Sequence, residues 1–67
     1  MTKINTEYIT LSQLLKIENF VSSGGEVKMI ISSLDILVNG EKENRRGRKL
    51  FPNDEIIIEG KKFIITK

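Results

Sequence analysis

The sequence predicts an α+β domain, in which two helices pack on a small, twisted antiparallel sheet. In the first half of the 67-residue chain, two stretches carry apolar residues at helical spacing, and each begins with a capping pattern. In the second half the pattern changes to short β-branched runs, separated by Asn-Gly, Pro-Asn-Asp and a lone glycine. Helices that precede the strands as a group are typical of this fold class.

The first helix is predicted to run from about residue 11 to about residue 20. Thr10 and Gln13 have the spacing of a capping box, in which each side chain accepts a hydrogen bond from the other residue's backbone amide. Leu11, Leu14 and Leu15 then follow helical spacing and predict the buried face.

The second helix is predicted to begin after a short turn, with Ser23 and Glu26 as another capping box and Ser22 as an alternative cap. Gly24 and Gly25 lower helix propensity in its first turn, which indicates that something else favours glycine there. The apolar face of this helix falls at i, i+3, i+4 and i+7: Val27, Ile30, Ile31 and Leu34.

Turn residues divide the second half into strands. Asn39 and Gly40 predict a hairpin, because both central residues of a type I′ turn need positive φ. Asn53 predicts a second turn, and two strands are expected on either side of Gly60. Residues 6–9 are a candidate edge strand.

The amino-acid composition argues against several classes of function. The chain has no cysteine and no histidine, so the commonest general base, the usual zinc ligands and thiolate chemistry are missing. The acids Asp54 and Glu55 are adjacent and have no plausible nucleophile beside them. We therefore expect no enzyme activity, cofactor, metal site or small-molecule substrate. No apolar stretch approaches the ~20 residues of a membrane span or forms a signal peptide, so a single cytoplasmic domain over residues 1–67 is predicted.

Positive charge is concentrated in one short segment. The formal net charge of the chain is only +2. Residues 42–49 hold five bases and one acid, a net of +4, whereas all other residues hold six bases and eight acids, a net of −2. This asymmetry favours one localised anion-binding surface.

Residues 44–49, NRRGRK, are the first candidate site. Asn44, Arg45, Arg46, Arg48 and Lys49 supply donors, and the planar fork of arginine matches phosphate. The glycine between them permits close approach of a ligand or a positive φ. In the alternative interpretation the loop is solvated and its charges pair with nearby acids: Glu41, Glu43 or Glu59.

The start of the second helix is the second candidate. Backbone amides at Ser23, Gly24 and Gly25 could attract an anion, and Lys28 adds a charge one turn further along. In the alternative interpretation Ser23 caps the helix and the glycines make a tight turn, and Glu26 disfavours an anion at this terminus.

Two residues of the predicted strand region lie close to the basic loop in sequence. Asn39 is interpreted as structural, although it is expected near the basic loop. Phe51 could stack on an unpaired base, but packing at the rim of the core is the favoured interpretation.

Residues 23–56 resemble the S-four RNA-binding domain, named after ribosomal small-subunit protein four, whose core is the alpha-L motif. The family pattern is a capped helix, then V-x-V-N-G, a polar and basic loop, and P-G-D-x-I. The matching residues here are Ser23, Glu26, Val27, Lys28, Ile30, Ile31, Ile36, Val38, Asn39, Gly40, Leu50, Pro52, Asp54 and Ile56. The resemblance covers about residues 11–58 and is greatest to the small stand-alone YaaA-like subgroup of bacteria, which combines SGG with NRRGRK. Most of the wider family carries arginine at the positions of Gly24 and Gly25.

The resemblance implies non-catalytic binding of structured RNA, specifically ribosomal RNA or an assembling ribosomal subunit, with ribosomal proteins as further partners. It also implies that RNA phosphates contact the basic loop and the second helix. The expected RNA-binding residues are Ser23, Gly24, Gly25, Lys28, Asn44, Arg45, Arg46, Arg48 and Lys49. Two alternatives stay open from the residues alone: a protein-interaction module that docks the loop on an acidic partner, and a DNA-binding accessory protein.

Overall fold

The computed structural model describes residues 2–67. Its elements follow in chain order: β1 (Thr2–Lys3), β2 (Ile9–Thr10), α1 (Leu11–Ile17), α2 (Gly24–Ile30), a 3₁₀ turn (Ile31–Ser33), β3 (Ile36–Val38), β4 (Glu41–Lys42), β5 (Lys49–Leu50), β6 (Glu55–Ile58) and β7 (Lys61–Thr66). Five strands form one sheet in the order β1-β7-β6-β3-β4, and β2 and β5 form a separate ribbon. The α+β class is confirmed.

The sheet is mixed rather than wholly antiparallel. β3, β4, β6 and β7 pair antiparallel, but β1 pairs parallel with β7, with Thr2 opposite Ile65. Thr2 is buried, and its hydroxyl donates to the Glu18 carboxylate at 2.9 Å, which holds this short strand against the edge. The N-terminal edge strand therefore lies at Thr2–Lys3, whereas Ile9 of the expected segment joins the ribbon instead.

Helix α1 has the predicted start and an earlier end. Both hydrogen bonds of the capping box between Thr10 and Gln13 are present. The helix ends at Ile17, because Asn19 adopts a φ of 63° and reverses the chain. The Asn19 amide donates to the Lys16 carbonyl and the next amide reaches back to the last full turn, as in a Schellman motif. Asparagine performs here the function that glycine usually has.

Helix α2 begins at the predicted residue but without the predicted box. Within the described part of the chain, the Ser23 side chain makes no capping hydrogen bond. The Ser22 hydroxyl instead donates to the Glu26 carboxylate at 2.7 Å, so the carboxylate that the box would use is turned to another partner. The expectation of a Ser23–Glu26 capping box was therefore wrong.

The core lies between the two helices and the sheet. Both predicted turns around glycine are present: Asn39 and Gly40 have φ of 51° and 87°, and Glu59 and Gly60 have φ of 50° and 83°. Buried apolar residues from every layer form one cluster: Ile4, Ile9, Leu11, Leu14, Leu15, Val21, Val27, Ile31, Ile36, Val38, Leu50, Ile56, Ile58 and Ile65. Neither helix of residues 2–67 has the length and apolar composition to cross a membrane.

Candidate nucleic-acid interface

The two-stranded ribbon positions the basic loop. Ile9 pairs with Leu50 and Thr10 pairs with Lys49, so β5, which follows the loop, lies beside the strand that leads into α1. Ile9 and Leu50 are buried, and because side chains alternate along a strand, their neighbours face outward. The basic loop, defined as residues 44–49, is thus held at the edge of the core and not on a long, unsupported connection.

The start of α1 anchors the carbonyl groups of the loop. The amides of Leu11 and Ser12 donate to the carbonyls of Arg48 and Arg46, each at 2.9 Å. The amides on either side of them are satisfied by the capping box, at 2.8 and 3.2 Å. The first amides of α1 are therefore used inside the protein, and they orient the loop.

Glu43 anchors the beginning of the loop. Its carboxylate accepts hydrogen bonds from the backbone amides of Asn44 and Arg45, both at 3.2 Å. It also accepts from Arg45 Nε at 3.0 Å, Arg45 Nη2 at 3.1 Å and Arg48 Nη1 at 2.7 Å. The Glu43 side chain is only 7% exposed. One nearly covered carboxylate thus fixes the conformation of two arginines and of the backbone between them.

The hydrogen bonds from Arg45 lower the pKa of Glu43 from 4.5 to about 2, against the opposing effect of burial, and Arg48 adds to the lowering. The same contact raises the pKa of Arg45. Glu43 is therefore ionised at neutral pH, and Arg45 stays charged beside it.

The loop charges are partly paired, as the alternative interpretation expects, and anion binding by the loop stays a prediction. Glu43, one of the three acids considered, does pair with Arg45 and Arg48. The Arg45 side chain nevertheless stays 72% exposed and that of Arg48 35% exposed. A guanidinium carries five N–H groups, so each of them keeps donors beyond those that Glu43 occupies. Arg46 is exposed as well.

Gly47 lies in open surroundings. A Cβ atom placed there would meet nothing within 4 Å. Gly47 is not among the described residues with positive φ, so backbone strain does not require glycine at this position. Two reasons for a glycine were expected here: a positive φ, or close approach of a ligand. The observed backbone excludes the first, so close approach of a ligand is the reason that stays a prediction.

An open depression lies beside the loop. It is lined by Arg45, Gly47, Arg48, Lys49, Phe51 and Asp54. Asp54 joins it to the β3–β4 hairpin, because its carboxylate accepts from Asn39 Nδ2 at 3.1 Å and from the Phe51 amide at 2.8 Å. Asn39 also accepts from the Glu55 amide at 2.9 Å. Asn39 is therefore structural, as predicted, and its partner Asp54 lines the depression beside the loop.

The residues expected from the second helix lie on a separate element. Ser23, Gly25 and Lys28 are exposed on or before the first turns of α2, where Gly24 is the first helical residue. Among residues 2–67, no hydrogen bond or ion pair joins them to the basic loop. Their contact with an anion stays a prediction.

Two residues of the candidate interface do not follow from the sequence patterns. Glu43 was considered only as one of several neutralising acids, and no pattern marked it as the residue that orders the loop. Tyr8 was not considered, because its position opposite Phe51 follows from the pairing of β2 with β5, which the sequence does not predict.

These features define a small α+β domain with one cationic loop, anchored at both ends and exposed between them. A family model described as the S4 domain matches residues 2–66, and the chain belongs to the S4 domain family. This confirms the resemblance drawn from the helix, hairpin and closing segment.

One curated relative comes from Bacillus subtilis (strain 168) and carries the name "Probable ribosome maturation protein RlbA". It is 51% identical over 57 residues, which make up 85% of this chain and 80% of the relative. The relative is thus itself a small protein, in agreement with the resemblance to the stand-alone subgroup. No solved structure matches the chain significantly.

Proposed function

We propose that the protein binds the phosphates of structured RNA without catalysis, in the bacterial cytoplasm, and that the RNA is ribosomal RNA or part of an assembling ribosomal subunit. Membership of the S4 family supports RNA as the ligand, and the name of the Bacillus subtilis relative supports the ribosomal setting. The observation that carries the proposal is the cationic loop that Glu43 and the start of α1 hold in one conformation.

The proposed mechanism is electrostatic and pre-organised. Arg45, Arg46, Arg48 and Lys49 contact successive phosphates, and Asn44 donates a further hydrogen bond. Because the loop is already ordered, binding does not have to order it, which lowers the entropic cost of association. Contacts of this kind recognise the shape of the RNA backbone more than its base sequence.

A second, smaller contact is proposed at the start of α2. Lys28 contributes a charge there, and Ser23, Gly24 and Gly25 allow the RNA backbone to approach. Glycine replaces the arginine that the wider family carries at two of these positions, so we assign most of the binding free energy to the loop.

The test is fluorescence anisotropy with ribosomal RNA fragments and duplex DNA at several salt concentrations. About four to five phosphate contacts predict a log–log salt slope of about −3 to −4.5. The variant Arg45→Ala/Arg46→Ala/Arg48→Ala is expected to bind at least tenfold more weakly, with a slope flatter by about 2–3. The matched control is Lys61→Ala/Lys62→Ala/Lys67→Ala, which removes the same charge from exposed positions outside the loop and should bind nearly as the wild type does.

Three outcomes would contradict the proposal. Equal weakening in the two triple variants would show a general charge effect rather than a site. Tighter binding to duplex DNA than to RNA would favour the DNA-binding alternative. An absence of binding to any nucleic acid, with the fold intact by circular dichroism, would move the search to an acidic protein partner.

A further inference from the structure

An exposed aromatic pair lies on the outer face of the ribbon. Tyr8 precedes Ile9 and Phe51 follows Leu50, so the pairing of those two strand residues places the two rings side by side. The ring centroids are 5.6 Å apart and the rings are inclined at 44°. Tyr8 is 38% exposed and Phe51 is 43% exposed, so both residues are accessible from solvent.

The other aromatic pair of the protein is placed differently. Phe20 and Phe63 meet edge to face, with centroids 5.9 Å apart, and pack against the core cluster. Ile9 and Leu50 already complete the core below the ribbon. The Tyr8–Phe51 pair thus lies outside the main core. Two adjacent exposed aromatic residues indicate a binding surface more strongly than a single exposed apolar residue does.

Cationic side chains of the basic loop lie beside the exposed pair. Lys49 Nζ lies 5.1 Å from the centroid of the Tyr8 ring. Phe51 lines the same depression as Arg45, Gly47 and Arg48 of the basic loop. An exposed aromatic ring beside the cations proposed to bind phosphate matches the two parts of one nucleotide, the base and its phosphate.

We propose that Tyr8 and Phe51 stack an unpaired base of the RNA whose phosphates the basic loop binds. The inference rests on the proposed function and specifies the RNA: it carries a nucleotide outside the double helix, in a bulge, loop or junction next to the bound phosphates. The bases of a continuous A-form duplex are stacked on each other and cannot reach the pair, whereas splayed bases can. Every base has an aromatic face, so the pair selects for an unpaired nucleotide and tolerates any base identity.

The experiment compares two RNA hairpins that differ by one bulged nucleotide, with 2-aminopurine at the bulge as the probe. Wild-type protein is expected to bind the bulged hairpin at least about fivefold more tightly than the paired one, and to quench the probe on binding. Tyr8→Leu/Phe51→Leu keeps apolar side chains but removes both rings. It should lose the preference and the quenching while still binding the paired hairpin.

Two variants serve as controls. Tyr8→Phe keeps the ring and should keep both the preference and the quenching. Ile17→Ala removes an exposed apolar side chain from the end of α1 and should bind both hairpins as the wild type does. Thermal unfolding verifies the fold, and the single variants Tyr8→Leu and Phe51→Leu replace the double variant if it does not fold.

Measurements on the wild-type protein alone can overturn the inference: equal affinity for the two hairpins, with no quenching of the probe, would do so. Undiminished quenching in a folded leucine variant would overturn it as well. Failure of the proposed function has a different signature: neither hairpin binds, or both still bind after the arginines of the loop are replaced.

Discussion

The first turns of the two helices look alike in sequence but differ in the structure. At the start of α1, the capping box of Thr10 and Gln13 is complete, and the next amides donate to loop carbonyls. At the start of α2, the Ser23 side chain makes no capping bond among the described residues, and Glu26 accepts from Ser22 instead. One helix start organises the basic loop, whereas the other is built around two glycines.

This difference shows that the start of a helix can contribute to an anion-binding site in two ways. The amides of α1 act indirectly, because they fix the backbone that displays Arg46 and Arg48. The start of α2 could act only directly, through its own backbone and Lys28. The predictions below remove the anchors of the loop first and then test the second helix.

Replacing Glu43 should have the largest effect, because this carboxylate is the second anchor of the loop. We expect Glu43→Gln to lower the free energy of unfolding at pH 7 by about 1–3 kcal/mol, since charged donors lose their partner. Glu41→Gln is the matched control, because it adds the same net charge at an exposed residue of β4. Urea unfolding measures both variants, and weaker RNA binding by Glu43→Gln than by the control would isolate loop order from charge.

The effect of Glu43 should depend on pH with a defined sign. The pKa of Glu43 in the folded protein is about 2, below its ordinary value of 4.5. The unfolded chain therefore binds this proton first, so the stabilisation is complete above about pH 4.5 and is lost as the pH falls towards 2. The difference in stability between the wild type and Glu43→Gln should shrink over this range. A difference that stays constant from pH 7 to pH 2 would contradict the role given to its charge.

The two caps can be compared directly by removing one oxygen from each. Thr10→Ala should cost about 1 kcal/mol of unfolding free energy, because it removes a capping bond that is present. Ser23→Ala should lower the free energy of unfolding by only a few tenths of that amount, because the Ser23 side chain makes no capping bond within residues 2–67. Hydrogen exchange at the Leu11 and Ser12 amides should accelerate in the first variant alone. Equal costs would mean that the second capping box forms in solution.

Sequence patterns predicted the parts of this fold that local chemistry decides. The box at Thr10, the hairpin at Asn39-Gly40 and the two strands around Gly60 all follow from neighbouring residues, and the structure confirms them. The family resemblance extended the prediction to residues on separate elements, which periodicity alone cannot bring together.

Features that depend on distant pairing were missed. The parallel pairing of Thr2 with Ile65 and the ribbon that places Tyr8 beside Phe51 join the first residues to the second half of the chain. The role of Glu43 depends on two arginines that fold back onto it, and many acids near a basic run would look the same in sequence. The end of α1 was missed because asparagine, and not glycine, takes the positive φ there.

Gly25→Ala tests whether the start of α2 contacts RNA. A Cβ at this position meets nothing within 4 Å, and Gly25 lies in a helix with ordinary φ. The variant should therefore raise the free energy of unfolding by about 0.4–1 kcal/mol, because alanine loses less backbone entropy on folding. If the RNA backbone approaches Gly25, the added methyl group lowers RNA affinity although it raises stability. A purely structural role of Gly25 would not lower affinity while stability rises. Anisotropy and urea unfolding on the same samples measure both quantities, with Gly47→Ala as the corresponding change in the basic loop. Higher stability with unchanged RNA affinity would exclude a contact between Gly25 and the RNA backbone, and the loop would then be the whole phosphate site.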